Sequence, residues 1–225
     1  MMQIVNLSDV DKIKELISKD EPVFIIKNFE KAEKCDFIKR EAHLFCKNNE
    51  PRLGNRFLET FYQIDVLPSG VETDRIFRSL CIYPEDIFPI VDISESLFTK
   101  MYSFQKTYLG CGKYINGNVK TRPQILHYPQ GGGWFDWHKH LRKPTNYGLI
   151  VNLSKKHRDF NTGQTEVVND DGELIKVDDY ADIGDLILFR YDLLHRVAPC
   201  DPEKDLAFSL AGRWTAVLPI MSSEI

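Results

Sequence analysis

The chain has 225 residues, of which 43% are hydrophobic, 12% aromatic and 28% charged, a globular composition that excludes a disordered, collagen-like or coiled-coil protein. Its 29 Lys and Arg against 33 Asp and Glu leave a net charge of −4, so no overall positive field exists to hold a nucleic-acid backbone. No apolar run approaches the roughly 20 residues of a membrane helix, and Met1–Asn6 lacks the basic-then-apolar order of a signal peptide; the expectation is a cytoplasmic protein with neither membrane nor nucleic-acid partner.

Taken in chain order, the first elements read as helix, strand, helix. Ser8-Asp9 can cap a helix carrying Val10, Ile13, Leu16 and Ile17 at three- and four-residue spacing, and Pro22 follows its end. Val23-Phe24-Ile25-Ile26 reads as a buried strand, and Lys31 to Lys47 again has helical spacing, stopped by Asn48-Asn49-Glu50-Pro51. Between Pro51 and Pro89, Arg52, Arg56, Arg75 and Arg78 alternate with Phe57, Phe61, Tyr62, Phe77 and Tyr83, which fits either loops and short strands over a pocket or an irregular surface layer. Ile90 to Leu109 forms a long supporting helix ended by Gly110-Cys111-Gly112. Thereafter short strands dominate: Gln124–Tyr128, Tyr147–Leu153, Gln164–Val168, Asp185–Phe189 and Trp214–Leu218, with a hairpin turn at Asn169-Asp170-Asp171-Gly172. This pattern predicts a β-barrel or sandwich behind a helical N-terminal part, as one domain over 1–225, with 1–112 mainly helical support and 113–225 the β core. Cys35, Cys46, Cys81, Cys111 and Cys200 are odd in number and form no CxxC pair; they are expected to be reduced and mostly buried.

The chemistry concentrates in the β-rich part. In Gln130-Gly131-Gly132-Gly133-Trp134-Phe135-Asp136-Trp137-His138-Lys139-His140, an extended backbone would turn Asp136, His138 and His140 to one face and Phe135, Trp137 and Lys139 to the other. With the distant His195, these side chains make a plausible ligand set for a divalent metal, in the spacing of a facial site that holds non-haem Fe(II) and leaves positions open. Arg213, opening the last strand, would make a bidentate receptor for a carboxylate beside such a metal. Trp134, Phe135 and Trp137 are candidate pocket walls, and Arg142 and Lys143 candidate receptors for an acidic substrate.

The order Tyr128, Gly-rich turn, His138-x-His140, Thr162-Gly163-Gln164-Thr165, Gly184-Asp185, His195-x-Val197 and Gly212-Arg213-x-Thr215 resembles the 2-oxoglutarate-dependent Fe(II) oxygenases, in their prolyl-hydroxylase-like branch. The resemblance covers residues 124 to 218 and implies an α+β protein with a double-stranded β-helix, a cupin-like jelly roll, supported by N-terminal helices. It implies His138 and His195 as iron ligands, Arg213 and Thr215 as holders of the distal carboxylate of 2-oxoglutarate, and Tyr128 as a lining residue of the co-substrate pocket. It also implies an oxidoreductase that couples decarboxylation of 2-oxoglutarate, with O2, to oxidation, chiefly hydroxylation, of a small molecule or amino-acid side chain.

The chain departs from that family at the third ligand, where His140 stands in place of Asp or Glu. Three arrangements compete: His140 binds the metal, Asp136 supplies the carboxylate, or neither does and water or an anion takes the position. The set His138, His140 and His195 is favoured because its offset matches the pattern. Two other functions follow from the same departure: a redox-inactive β-helix binding module, and a three-histidine oxygenase independent of 2-oxoglutarate.

Overall fold

The computed structural model describes residues 2–51, 61–65, 75–82, 89–110, 119–121, 123–142 and 145–222. Helices are α1 (Val10–Ser18), α2 (Ala32–Asn48) and α3 (Pro89–Tyr108); strands are β1 (Gln3–Asn6), β2 (Val23–Lys27), β3 (Phe61–Asp65), β4 (Arg75–Cys81), β5 (Val119–Thr121), β6 (Gln124–Gln130), β7 (Gly133–His138), β8 (Tyr147–Asn152), β9 (Thr165–Val168), β10 (Leu174–Lys176), β11 (Leu186–Arg190), β12 (His195–Cys200), β13 (Ala207–Val217) and β14 (Ile220–Ser222). Arg52, Arg56, Phe57, Tyr83, Cys111, Gly112 and Lys143 lie outside the described residues.

One sheet path runs β1-β2-β11-β8-β13-β6-β4-β7-β12-β9-β10, with β3 on β4. It curls at β4, which pairs with β6 through Arg78–Cys81 and with β7 through Arg75 and Ile76. The two layers so formed make a double-stranded β-helix. The N-terminal part thus supplies the three helices and also β1 to β4, so residue 112 does not divide a helical layer from the sheet.

The burial pattern explains the central strands. Val23 to Ile26 and Leu186 to Phe189 are buried on both faces, so their continuous apolar runs suit strands covered from both sides. Outward, Phe24, Ile26, Leu149, Leu186 and Leu188 pack with Ile13 and Leu16 of α1, Ile38 and Ala42 of α2, and Leu97 and Met101 of α3. Inward, Val23, Ile25, Ile187 and Phe189 meet Val167, Val177 and Leu193 from the opposite layer.

The turn into β11 is fixed by Gly184 and Asp185. Gly184 has φ +84° and its site faces the Glu30 carbonyl so closely that an added Cβ would stand 2.2 Å from that oxygen, while Glu30 N donates to Gly184 O at 2.8 Å. The buried Asp185 carboxylate accepts from the backbone N–H of Asn28 at 2.8 Å and of Asp182 at 2.7 Å, and from Lys27 Nζ. Cys35, Cys46, Cys81 and Cys200 are free and buried. No described helix is long and apolar enough to cross a membrane.

Candidate metal centre

β7 and β12 pair antiparallel with His138 opposite His195 and Phe135 opposite Val197. Three residue steps on β7 therefore match two on β12, a bulge that breaks strict alternation. Phe135 and His138 come to the same, inward side, their rings stacked with centroids 4.1 Å apart. The alternation expected from the sequence is corrected here: Asp136 does not join His138. Its Oδ1 accepts instead from Trp137 N at 2.7 Å.

His140 lies just past the end of β7, where its backbone N donates to Tyr191 O at 2.8 Å. The imidazoles of His138, His140 and His195 then converge, with ring centroids 4.2 to 5.2 Å apart, and each offers a nitrogen within 4.8 Å of the others'. Among the described residues no other group of three His, Cys, Asp or Glu side chains does so.

Two of these rings have a fixed tautomer. His138 Nδ1 lies 2.7 Å from Asp136 O and His195 Nδ1 lies 2.8 Å from Leu193 O. A carbonyl only accepts, so Nδ1 carries the proton and Nε2 keeps its lone pair, the arrangement that orients a metal-binding histidine. Burial holds all three imidazoles neutral. Desolvation, then the neighbouring His138, pushes His195 down to about 3 and His140 to about 4, and burial also lowers His138. Much of His140 remains accessible, but its ring sits against His138, His195 and Tyr191. A cluster of three neutral nitrogen donors suits a borderline divalent transition metal and not Mg²⁺ or Ca²⁺, which take oxygen ligands.

The cluster stands at a pocket of about 180 Å³ whose walls include Leu126, Tyr128, Phe135, Ile150, Thr165 and Phe189. Tyr128 is buried, and desolvation pushes its phenol up to about 12, so it is a neutral wall. Trp134 and Trp137 do not line the pocket; Arg196 lies over the Trp137 ring at 4.6 Å. Arg142 pairs with Asp20 and with Asp192 at 3.7 Å.

Arg213 and Thr215 lie on β13 opposite Tyr128 and Leu126, and so on the same face of the sheet as these two lining residues. Sequence reasoning did not single out the residue that holds Arg213. Asp178, in the short 3-10 turn Val177–Asp179, accepts from Arg213 Nε and Nη2 at 3.3 Å each, and Nη2 also donates to Thr165 Oγ1 at 2.8 Å and Asn152 Oδ1 at 3.3 Å. The Nε–Nη2 edge of the fork is thus taken by Asp178, while Nη1 has no hydrogen bond among the described residues; the histidines fit a metal, and only the Nη1 corner of Arg213 is left for a co-substrate carboxylate. Phe189 and Tyr191, which press on the histidine cluster, also carried no sequence signal beyond being aromatic.

Fold and site together define a double-stranded β-helix with three imidazoles converging at an apolar pocket. No protein-family model matches the chain, and no curated protein matches it in sequence. Solved structures do match. A prolyl-4-hydroxylase of Pseudomonas putida superposes with a TM-score of 0.59 at 14% identity, over 93% of this chain and 95% of that one. A prolyl hydroxylase of Trichoplax adhaerens, in complex with a peptide fragment of the hypoxia inducible factor oxygen degradation domain, superposes with a TM-score of 0.61 at 15% identity, over 97% and 94%. The chain is similar to these in fold.

Proposed function

We propose that this chain is a mononuclear non-haem iron oxygenase, one domain over residues 1–225, with His138, His140 and His195 as the metal ligands. The observation that carries the reading is the convergence of three neutral imidazoles, two with Nδ1–H tied to backbone carbonyls, at the mouth of an apolar pocket. Iron bound there would supply activation of O2 and oxidation of an organic substrate. The protein's own part is to hold three lone pairs in place, to keep a proton on Nδ1 of His138 and of His195, and to keep water from the reacting carbon with Leu126, Phe135, Ile150 and Phe189. The substrate class is a small molecule or an amino-acid side chain; the peptide in the Trichoplax complex favours the second.

Coupling to 2-oxoglutarate is the second reading. Arg213 and Thr215 on the inward strand favour it, and the commitment of Arg213 to Asp178 opposes it.

Anaerobic titration of metal-depleted protein with Fe(II) tests the centre. One equivalent is expected to bind to the wild type, with most of the affinity lost in His138→Ala and in His195→Ala. Full binding by either variant would defeat the assignment. Iron-dependent O2 uptake with candidate substrates separates the oxygenase from a redox-inactive binding module.

A further inference from the structure

Arg213 is 1% exposed and Asp178 5%, and the carboxylate of Asp178 is satisfied on every side. Besides the two contacts from Arg213, its Oδ2 accepts from Thr165 N at 2.7 Å and its Oδ1 from Asn152 Nδ2 at 3.2 Å. Four donors from three strands, β8, β9 and β13, thus converge on one internal carboxylate. The guanidinium it neutralises touches two residues of the pocket wall, since Arg213 Nη2 donates to Thr165 Oγ1 and the guanidinium carbon lies 5.9 Å from the Tyr128 ring centre. A diffusible dicarboxylate could take the Nε–Nη2 edge of Arg213 only by expelling Asp178, which would leave a buried carboxylate without its cation; otherwise only the single Nη1 corner is open to it. The pocket itself is smaller than the roughly 300–1,000 Å³ of sites for drug-sized ligands.

We propose that Asp178 is the specificity-determining residue of this site: its side chain takes the carboxylate place on the Nε–Nη2 edge of Arg213, so that the pocket disfavours 2-oxoglutarate and admits a small, largely apolar group, free or carried on an amino-acid side chain, beside the metal. The inference rests on the metal-oxygenase reading only for the identity of the site; the contest for Arg213 is a matter of the protein's own residues.

The test is a calorimetric titration with 2-oxoglutarate under anaerobic conditions, on Fe(II)-loaded and metal-free protein, with iron content measured on the same samples. Wild type is expected to show no saturable binding up to about 1 mM, and Asp178→Ala to bind at least tenfold more tightly than wild type. Asp178→Asn removes the charge while keeping an acceptor for Thr165 N; it serves if the alanine variant does not fold, as judged by circular dichroism, and is expected to gain affinity too. Micromolar binding by the wild type that is lost in Arg213→Lys would overturn the proposal, as would two folded Asp178 variants that gain nothing. Protein that takes up no iron would end the oxygenase reading, while the metal-free titrations would still decide which carboxylate Arg213 holds.

Discussion

His140 differs from its two companions in what holds it. His138 and His195 are oriented through Nδ1, whereas His140 is placed by its backbone bond to Tyr191 and by ring contacts. Its removal should therefore weaken a metal centre without emptying it: His140→Ala is expected to lower Fe(II) affinity by at least about tenfold, and Asp136→Ala to change it less than twofold, both by anaerobic titration. The reverse pattern would put Asp136 in the centre. A second residue-scale consequence concerns His127, fully buried and stacked on Trp214 at 4.1 Å. Its Nε2 lies 2.9 Å from Ala211 O, so that nitrogen bears the proton, and Nδ1 is buried without a partner among the described residues. Burial, reinforced by Arg78, holds its pKa well below the ordinary 6.5. The unfolded chain protonates near 6.5 while the folded one resists. Stability from this group is thus complete above pH 6.5 and declines as the pH falls, by up to about 1.4 kcal/mol per pH unit. Urea unfolding between pH 7 and 5 should show a flatter dependence in His127→Gln than in the wild type; identical slopes would uncouple this residue from acid sensitivity.

At the scale of elements, the turn before β11 is a position with little tolerance for change. Gly184→Ala would force an L side chain into a left-handed backbone, at about 1–3 kcal/mol, and press its Cβ against the Glu30 carbonyl; a clear fall in thermal midpoint is expected. The same comparison of elements shows what the sequence could reveal. β2 and β11 were legible because Val23-Phe24-Ile25-Ile26 and Leu186-Ile187-Leu188-Phe189 advertise burial on both faces. β4 was hidden by its arginines: Arg78 is buried with its guanidinium carbon 4.9 Å from the Trp214 ring centre and Nη2 3.2 Å from His43 Nδ1, a placement that needs the tertiary structure. The bulge in β7 leaves no local mark, so side-chain alternation misplaced Phe135 and Asp136. The three histidines were visible as spacing and a matched pattern. Asp178 was not, because Val177-Asp178-Asp179 reads as a solvated acidic turn until β9 and β13 fold over it.

At the scale of the whole molecule, the candidate centre lies where the curled sheet's two layers come back together. His138 and His195 belong to the layer of β7 and β12; His140 leaves the end of β7 and is bonded at Tyr191, one residue beyond β11 of the other layer. An ion gripping all three imidazoles would therefore act as a further clasp between two leaves that the His140–Tyr191 backbone bond, ring contacts and the Arg190–Asp170 ion pair already join on that side. Its effect would be mechanical as well as chemical: the leaves would breathe less. Hydrogen exchange should slow at the His140 amide on adding Fe(II), and hardly change at Ile25 and Ile26, where β2 is already sealed between β1 and β11. Occupancy of the centre would then be legible in the cohesion of the sandwich before any substrate is known.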